Sequence, residues 1–192
     1  METILNNIFN SWTKCYNNHI FIENKCNDTI VIDDMMYNNE IKDYYSNKTF
    51  YIENTSNSII YINTKINHLI LNKCNNITLI INSTFISGLD IFHSNDVYIF
   101  NNVSIKSEYS FNFGENFTIN VNADETEITL CINVIYNLII NKLNSEKKYN
   151  TFNGCLNLFT TETLYIFINE KTSDINGFDT IYGNFKLVKL SI

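Results

Sequence analysis

Three histidines, five cysteines and two adjacent acidic pairs are the groups in this chain that could carry chemistry. His19, His68 and His93 share no metal-ligand spacing, and each lies beside or within an apolar run. That is the setting of a structural or surface strand histidine rather than of a zinc or proton-transfer site. Asp33-Asp34 and Asp124-Glu125 could each hold a hard cation, but adjacent acids at a turn are ordinarily solvated. Cys15, Cys26, Cys74, Cys131 and Cys155 are widely spaced, odd in number and contain no CxxC pair, so free thiols in a reducing compartment are expected. The sequence has no Gly-rich phosphate loop and no GxSxG elbow. We therefore expect no cofactor, no metal and no catalytic residue: the chain reads as non-enzymatic.

Composition narrows the class further. With 192 residues, 45% hydrophobic and 14% aromatic, the chain can bury the core of one ordinary domain. A net charge of -7 and the absence of any Arg exclude the cationic stripe of a nucleic-acid binder. Lys147-Lys148 reads as a solvated turn. There is no basic leader with a long apolar run and no uninterrupted apolar window of membrane length, so neither secretion nor a membrane contact is expected. Heavy use of Asn, Ile, Lys, Tyr and Phe suggests an AT-rich genome, that of a large virus or a protist. The expected location is cytoplasmic, meaning host cytoplasm or virion if the source is viral.

The elements that must position any surface site follow from periodicity. Residues 2 to 16 place Ile4, Leu5, Ile8, Phe9, Trp12 and Cys15 at three- and four-residue steps, which predicts a short amphipathic helix capping the first 18 residues. From His19 the pattern alternates: His19–Asn24, Thr29–Asp34 and Thr49–Asn54 read as strands, separated after Asp34 by a polar, aromatic loop that starts with Met35 and Met36. Between Ser58 and Phe100 apolar runs begin at Ile59, His68, Ile77, Gly88 and Val97, a strand restarting roughly every nine to ten residues. Pairs such as Ile60 and Ile62, Leu69 and Leu71, Leu79 and Ile81, Leu89 and Ile91, Val97 and Ile99, and Ile119 and Val121 can each face one side. Stacked coil on coil they make a core no single coil could bury, which predicts an all-β parallel solenoid; an antiparallel sandwich is the alternative, disfavoured by only 5 Gly and 0 Pro. Asn63, Asn72, Asn82, Asn101, Asn122, Asn133 and Asn141 stand at strand ends, where Asn tolerates left-handed backbone and its amides can bond up the stack.

The face opposite the aliphatic column carries Tyr61, Phe92, Tyr98 and Phe100 with Thr78, Asp90, Thr118, Asn120, Thr129 and Asn133, a flat polar-aromatic surface suited to a protein partner. Near the C-terminus Gly183-Asn184 sits between Ile181-Tyr182 and Phe185-Lys186-Leu187-Val188, a two-residue β-hairpin signal. Such a hairpin needs a surface to dock on, its own solenoid or another subunit.

Phe21-Ile22-Glu23-Asn24, Ile30-Val31-Ile32-Asp33-Asp34, Lys65-Ile66-Asn67 leading into Asn72-Lys73-Cys74-Asn75, Ser94-Asn95-Asp96-Val97, and Phe178 to Val188 occur in that order. In this series the chain, from about Ile20 onward, resembles the C-terminal domain of cyclase-associated proteins, relatives of tubulin-binding cofactor C. The resemblance implies a right-handed parallel β-helix, with residues 177–192 forming a hairpin exchanged between the subunits of a homodimer through Tyr182, Phe185, Lys186, Leu187 and Val188. It also implies binding of monomeric actin and promotion of nucleotide exchange on it. The motifs and the outward face together nominate Glu23, Asn24, Asp33, Asp34, Lys65, Lys73, Asp90 and Tyr98 as partner-binding. Ala123-Asp124-Glu125-Thr126 stands where the family has a Thr-Asp-Gly-Cys turn, and the tail after Val188 is short. Those departures motivate a second reading, a structural or virion-associated solenoid that has lost actin binding. The GTPase-activating role of the cofactor C branch requires an arginine finger, which this chain lacks.

Overall fold

A computed structural model describes residues 13–33, 44–104, 106–121, 127–135, 137–142, 151–157, 164–169, 175–182 and 185–190. The strands are β1 (Thr13–Tyr16), β2 (His19–Glu23), β3 (Thr29–Ile32), β4 (Thr49–Glu53), β5 (Ser56–Ile62), β6 (Ile66–Asn72), β7 (Asn75–Ile81), β8 (Phe85–Phe92), β9 (Asn95–Asn101) and β10 (Lys106–Val121). They continue with β11 (Glu127–Ile135), β12 (Asn137–Lys142), β13 (Thr151–Asn157), β14 (Leu164–Asn169), β15 (Ile175–Tyr182) and β16 (Phe185–Leu190). A 3₁₀ turn, Tyr44–Asn47, precedes β4.

Alternate strands pair in parallel. One ladder, face A, runs β2-β4-β6-β8 into the first half of β10 and on through β11, β13 and β15. The other, face B, runs β3-β5-β7-β9 into the second half of β10 and on through β12, β14 and β16. This is the expected β-solenoid, and the nine-to-ten-residue unit is half a coil: equivalent residues of neighbouring coils are 19 or 20 apart, as in Asn63–Asn82 and Asn82–Asn102.

Pleating explains the core. Ile60, Ile62, Leu69, Leu71, Leu79, Ile81, Leu89, Ile91, Val97 and Ile99 are all 0% exposed, so the aliphatic pairs of successive coils close a continuous column between the faces. Each contributes about 1.5–3 kcal/mol of burial before ordering entropy is subtracted. At β10 the column turns aromatic: Tyr109, Phe111 and Phe117 are buried, with ring centroids of Phe111 and Phe117 5.0 Å apart.

Two expected elements are corrected. Thr13–Tyr16 is a strand, not the end of a helix; it pairs antiparallel with β2 around Asn17-Asn18, where Asn17 adopts φ 54°. Residues 1–12 of the expected helix lie outside the described residues. The reason is that a four-residue edge beside β2 can satisfy its backbone groups in a ladder, which a three- to four-residue apolar step does not reveal. At the other end, β15 pairs in parallel with β13 and β16 with β14, not with one another, so the strands flanking Gly183-Asn184 extend the two faces. Gly183 and Asn184 themselves lie outside the described residues, as do Asp34, Met35, Met36, Asn122, Ala123, Asp124, Glu125 and Thr126. Both strands thus pair within the chain, β15 on β13 and β16 on β14.

Candidate functional site

The corner leading from face A to face B is built on two left-handed columns. The first is Asn24, Asn54, Lys73, His93 and Phe113, with φ of 57°, 50°, 53°, 46° and 57°; the second, three residues on, is Asn27, Asn57, Asn76, Asp96 and Asn116. Between them a small residue turns inward: Thr55, Cys74 and Ser94 are buried, and Gly114 occupies the next coil. The asparagines expected to supply left-handed backbone, Asn63, Asn72, Asn82 and Asn101, do not have positive φ; that role falls on neighbours in Asn-rich corners. Their expected amide stacking does occur: Asn82 Nδ2 donates to Asn63 Oδ1 at 2.8 Å and Asn102 Nδ2 to Asn82 Oδ1 at 2.8 Å.

The second column is uniformly Asn or Asp, the residues that accept αL backbone at least cost. The first is not. Three successive coils place Lys73, His93 and Phe113 where their neighbours use Asn, each carrying strain of order 1 kcal/mol that the fold does not require. These residues form a ridge, with His93 stacked on Phe113 at 5.1 Å and an interplanar angle of 10°. Phe113 is 51% exposed.

Beside the ridge, on the outer side of face A, lies a shallow depression of about 450 Å³ lined by Tyr51, Glu53, Ile70, Asn72, Lys73, Phe92 and His93. Its floor is a register column: Glu53 stands opposite Asn72, which stands opposite Phe92, and Asn72 Nδ2 donates to Glu53 Oε1 at 3.2 Å. Further out along the same face Phe21 stacks on Tyr51 at 4.8 Å, and His68 Nε2 lies 3.2 Å from Asp90 Oδ2, an ion-pair distance without hydrogen-bond alignment. The depression thus offers aromatic walls, one carboxylate, a lysine and an imidazole, a mixture suited to recognition rather than bond chemistry. No group of three metal-ligating side chains occurs among the described residues.

The nominated residues divide by face. Glu23 and Asp90 lie on face A with the depression, and Asn24 and Lys73 belong to its ridge column. Tyr98 is 40% exposed on face B, Asp33 follows β3 of face B, and Lys65 is exposed at the opposite corner. Asp34 lies outside the described residues; Tyr182 falls on β15, and Phe185, Lys186, Leu187 and Val188 on β16. The single outward face expected from sequence is two faces, since consecutive strands alternate between them. Phe92 and Asp90 are on A, whereas Tyr61, Thr78, Tyr98, Phe100, Thr118 and Asn120 are on B. Face B carries no charged side chain in the outward columns Thr29–Ile59–Thr78–Tyr98–Thr118 and Val31–Tyr61–Ile80–Phe100–Asn120. Tyr51, Glu53, Ile70 and His93 were not nominated; 19- or 20-residue offsets lead from Asp90 to Ile70 and Tyr51, from Phe92 through Asn72 to Glu53, and from Lys73 to His93.

Cys74 is a packing residue. Burial pushes its thiol up to about 11, partly offset by backbone hydrogen bonds, and Sγ donates to the Ile52 carbonyl at 3.4 Å.

No helix among the described residues is long and apolar enough to cross a membrane. Residues 13–107, just under half of the chain, match the family model described as adenylate cyclase associated (CAP) C terminal. The match starts at β1 and ends within β10, and it takes in four of the five motifs on which the resemblance rests; the fifth, Phe178 to Val188, lies beyond it. No curated protein and no solved structure matches the chain.

Proposed function

With residues 13–107 matching the CAP C-terminal family, we propose that this solenoid is a non-enzymatic binder of monomeric actin, and that the Lys73–His93–Phe113 ridge with its adjoining depression is the contact. The observation that supports the location is the retained strain: three coils keep bulky side chains at left-handed positions where Asn would serve the backbone better. The match of residues 13–107 to that family model supports the choice of partner. Promotion of nucleotide exchange is the accompanying activity, exerted by the bound surface and not by chemistry on this chain.

The test uses the full chain and purified monomeric actin. We expect micromolar or tighter binding, with Lys73→Asn, His93→Asn and Phe113→Asn each weakening it by roughly tenfold, as hot-spot truncations do. The same substitutions should raise unfolding stability by about 0.5–1 kcal/mol each, because Asn relieves the αL strain. Ridge variants that bind as well as the unaltered chain would move the site elsewhere, and absence of binding by the unaltered chain at tens of micromolar would remove actin as the partner. The second reading, a structural or virion-associated scaffold without actin affinity, is favoured by one observation: the coils from β11 onward continue the solenoid beyond the matched region.

A further inference from the structure

Among the strand ladders one register pair brings two cysteines together. On face A, β11 and β13 pair without interruption from Glu127↔Thr151 to Asn133↔Asn157, and Cys131 stands opposite Cys155. Register partners in a parallel ladder fall on the same face and about 4.7–4.9 Å apart between strands, inside the Cα separation of about 4.4–6.8 Å that a disulfide spans. Among the described residues no other cysteine stands opposite a cysteine. Cys15 stands opposite Ile20 and Cys26 opposite Ser56, while Cys74 is buried in its corner.

Two further observations bear on the pair. Cys131 is half-exposed, with Sγ donating to Glu108 Oε1 at 3.3 Å, so reagents reach it from the outer side of face A. On its far side β13 pairs with β15 through register shifts on either side of Gly154, the residue preceding Cys155. Such an irregularity bends and twists the strand locally, next to Cys155.

We propose that Cys131 and Cys155 form a dithiol–disulfide site on face A, oxidised by small-molecule disulfides such as oxidised glutathione. The Cys131 thiolate attacks one sulfur of oxidised glutathione and releases one glutathione; the Cys155 thiolate then attacks the Cys131 sulfur of the mixed disulfide and expels the second. Two protein thiols lose two protons and two electrons, which leave on two molecules of reduced glutathione. The bond staples two neighbouring coils and closes the intervening chain into a covalent ring.

The experiment is oxidation of the full chain with oxidised glutathione, followed by non-reducing peptide mapping. We expect a Cys131–Cys155 cross-link that persists in Cys26→Ser and Cys74→Ser. It should be replaced by a single glutathione adduct in Cys131→Ser and Cys155→Ser. The oxidised chain should melt roughly 5–10 °C higher than the reduced one, the scale expected for closing a loop of this size in a domain of this length. A stable glutathione adduct on Cys131 of the unaltered chain, with Cys155 still open to alkylation, would overturn the proposal. Titration with phenylarsine oxide, which bridges neighbouring thiols, needs no variant: one equivalent should bind per chain, and failure to bind at that ratio counts against the pair.

Discussion

At the scale of single residues the inward corner column sets a pH limit on the fold. The neutral Cys74 thiol is stabilised by burial, so its folded-state value lies above its ordinary one of 9.0, at about 11. An acid whose value is raised by folding contributes stability that is complete below the unfolded value and is lost as pH rises toward the folded one. The Cys74 contribution should therefore hold up to about pH 9 and fall by about 3 kcal/mol, at most, by pH 11. Tyr109 adds to the loss from its ordinary 10.0 upward, because complete burial holds its hydroxyl neutral despite the bond it donates to Asn101 Oδ1 at 3.0 Å. Urea midpoints from pH 8 to 11 measure the effect. The Cys74→Ala variant should lose the decline between pH 9 and 10 and keep only the Tyr109 part above it; a decline equal in both proteins would show that Cys74 is not its source.

At the scale of elements, β10 is the strand that joins the two faces, and Gly114 is where it does so. Its first half pairs with β8 and β11, its second with β9 and β12, and the turn between them passes through left-handed Phe113 and Asn116. A Cβ at Gly114 would run into the carbonyl oxygen of Ser94 in the coil before it and meet the Phe117 ring. Gly114→Ala should therefore cost about 2–4 kcal/mol, since a backbone oxygen cannot swing aside as a side chain can. Chemical denaturation of the variant checks this, and a loss under 1 kcal/mol would mean that the corner relaxes. Sequence showed the strands but not this junction. Period two is fixed by the pleat, so Ile60, Leu69, Leu79 and Val97 could be assigned to the core from order alone. Corners follow no such period: with Asn at nearly every turn position, Asn63 and Asn82 were as good candidates for left-handed backbone as Asn57 and Asn76, and only dihedral angles separate them. Lys73 and Phe113 were hidden for a related reason, since neither residue type announces a positive φ. The strands on either side of Gly183-Asn184 show the same limit, because their alternating apolar residues suit pairing with one another and with earlier coils alike.

For the whole molecule, the architecture makes stability a matter of nearest neighbours. Each coil touches the one before and the one after, so the total is close to a sum of coil and interface contributions along one axis. Coils carrying β5 to β9 have neighbours on both sides and side chains that are wholly buried, Ile60 through Ile99. At the start, β3 is the terminal strand of the described face B ladder, and face A is closed by the short antiparallel β1. Toward the C-terminus the ladder between β13 and β15 is interrupted by register shifts. Opening should therefore begin at the two ends and reach the middle last. Amide hydrogen exchange is expected to be slowest in β5 to β9, faster by at least tenfold in β1 to β3 and in β13 to β16, and to approach the global unfolding rate only in the middle strands. The Cys131–Cys155 bond, once formed, should slow exchange in β11 and β13 while leaving β5 to β9 unchanged, because stabilisation in a one-dimensional stack passes mainly to adjacent coils. Exchange that is uniform from end to end would show instead that the chain opens as a single cooperative unit, and the staple would then slow every strand equally.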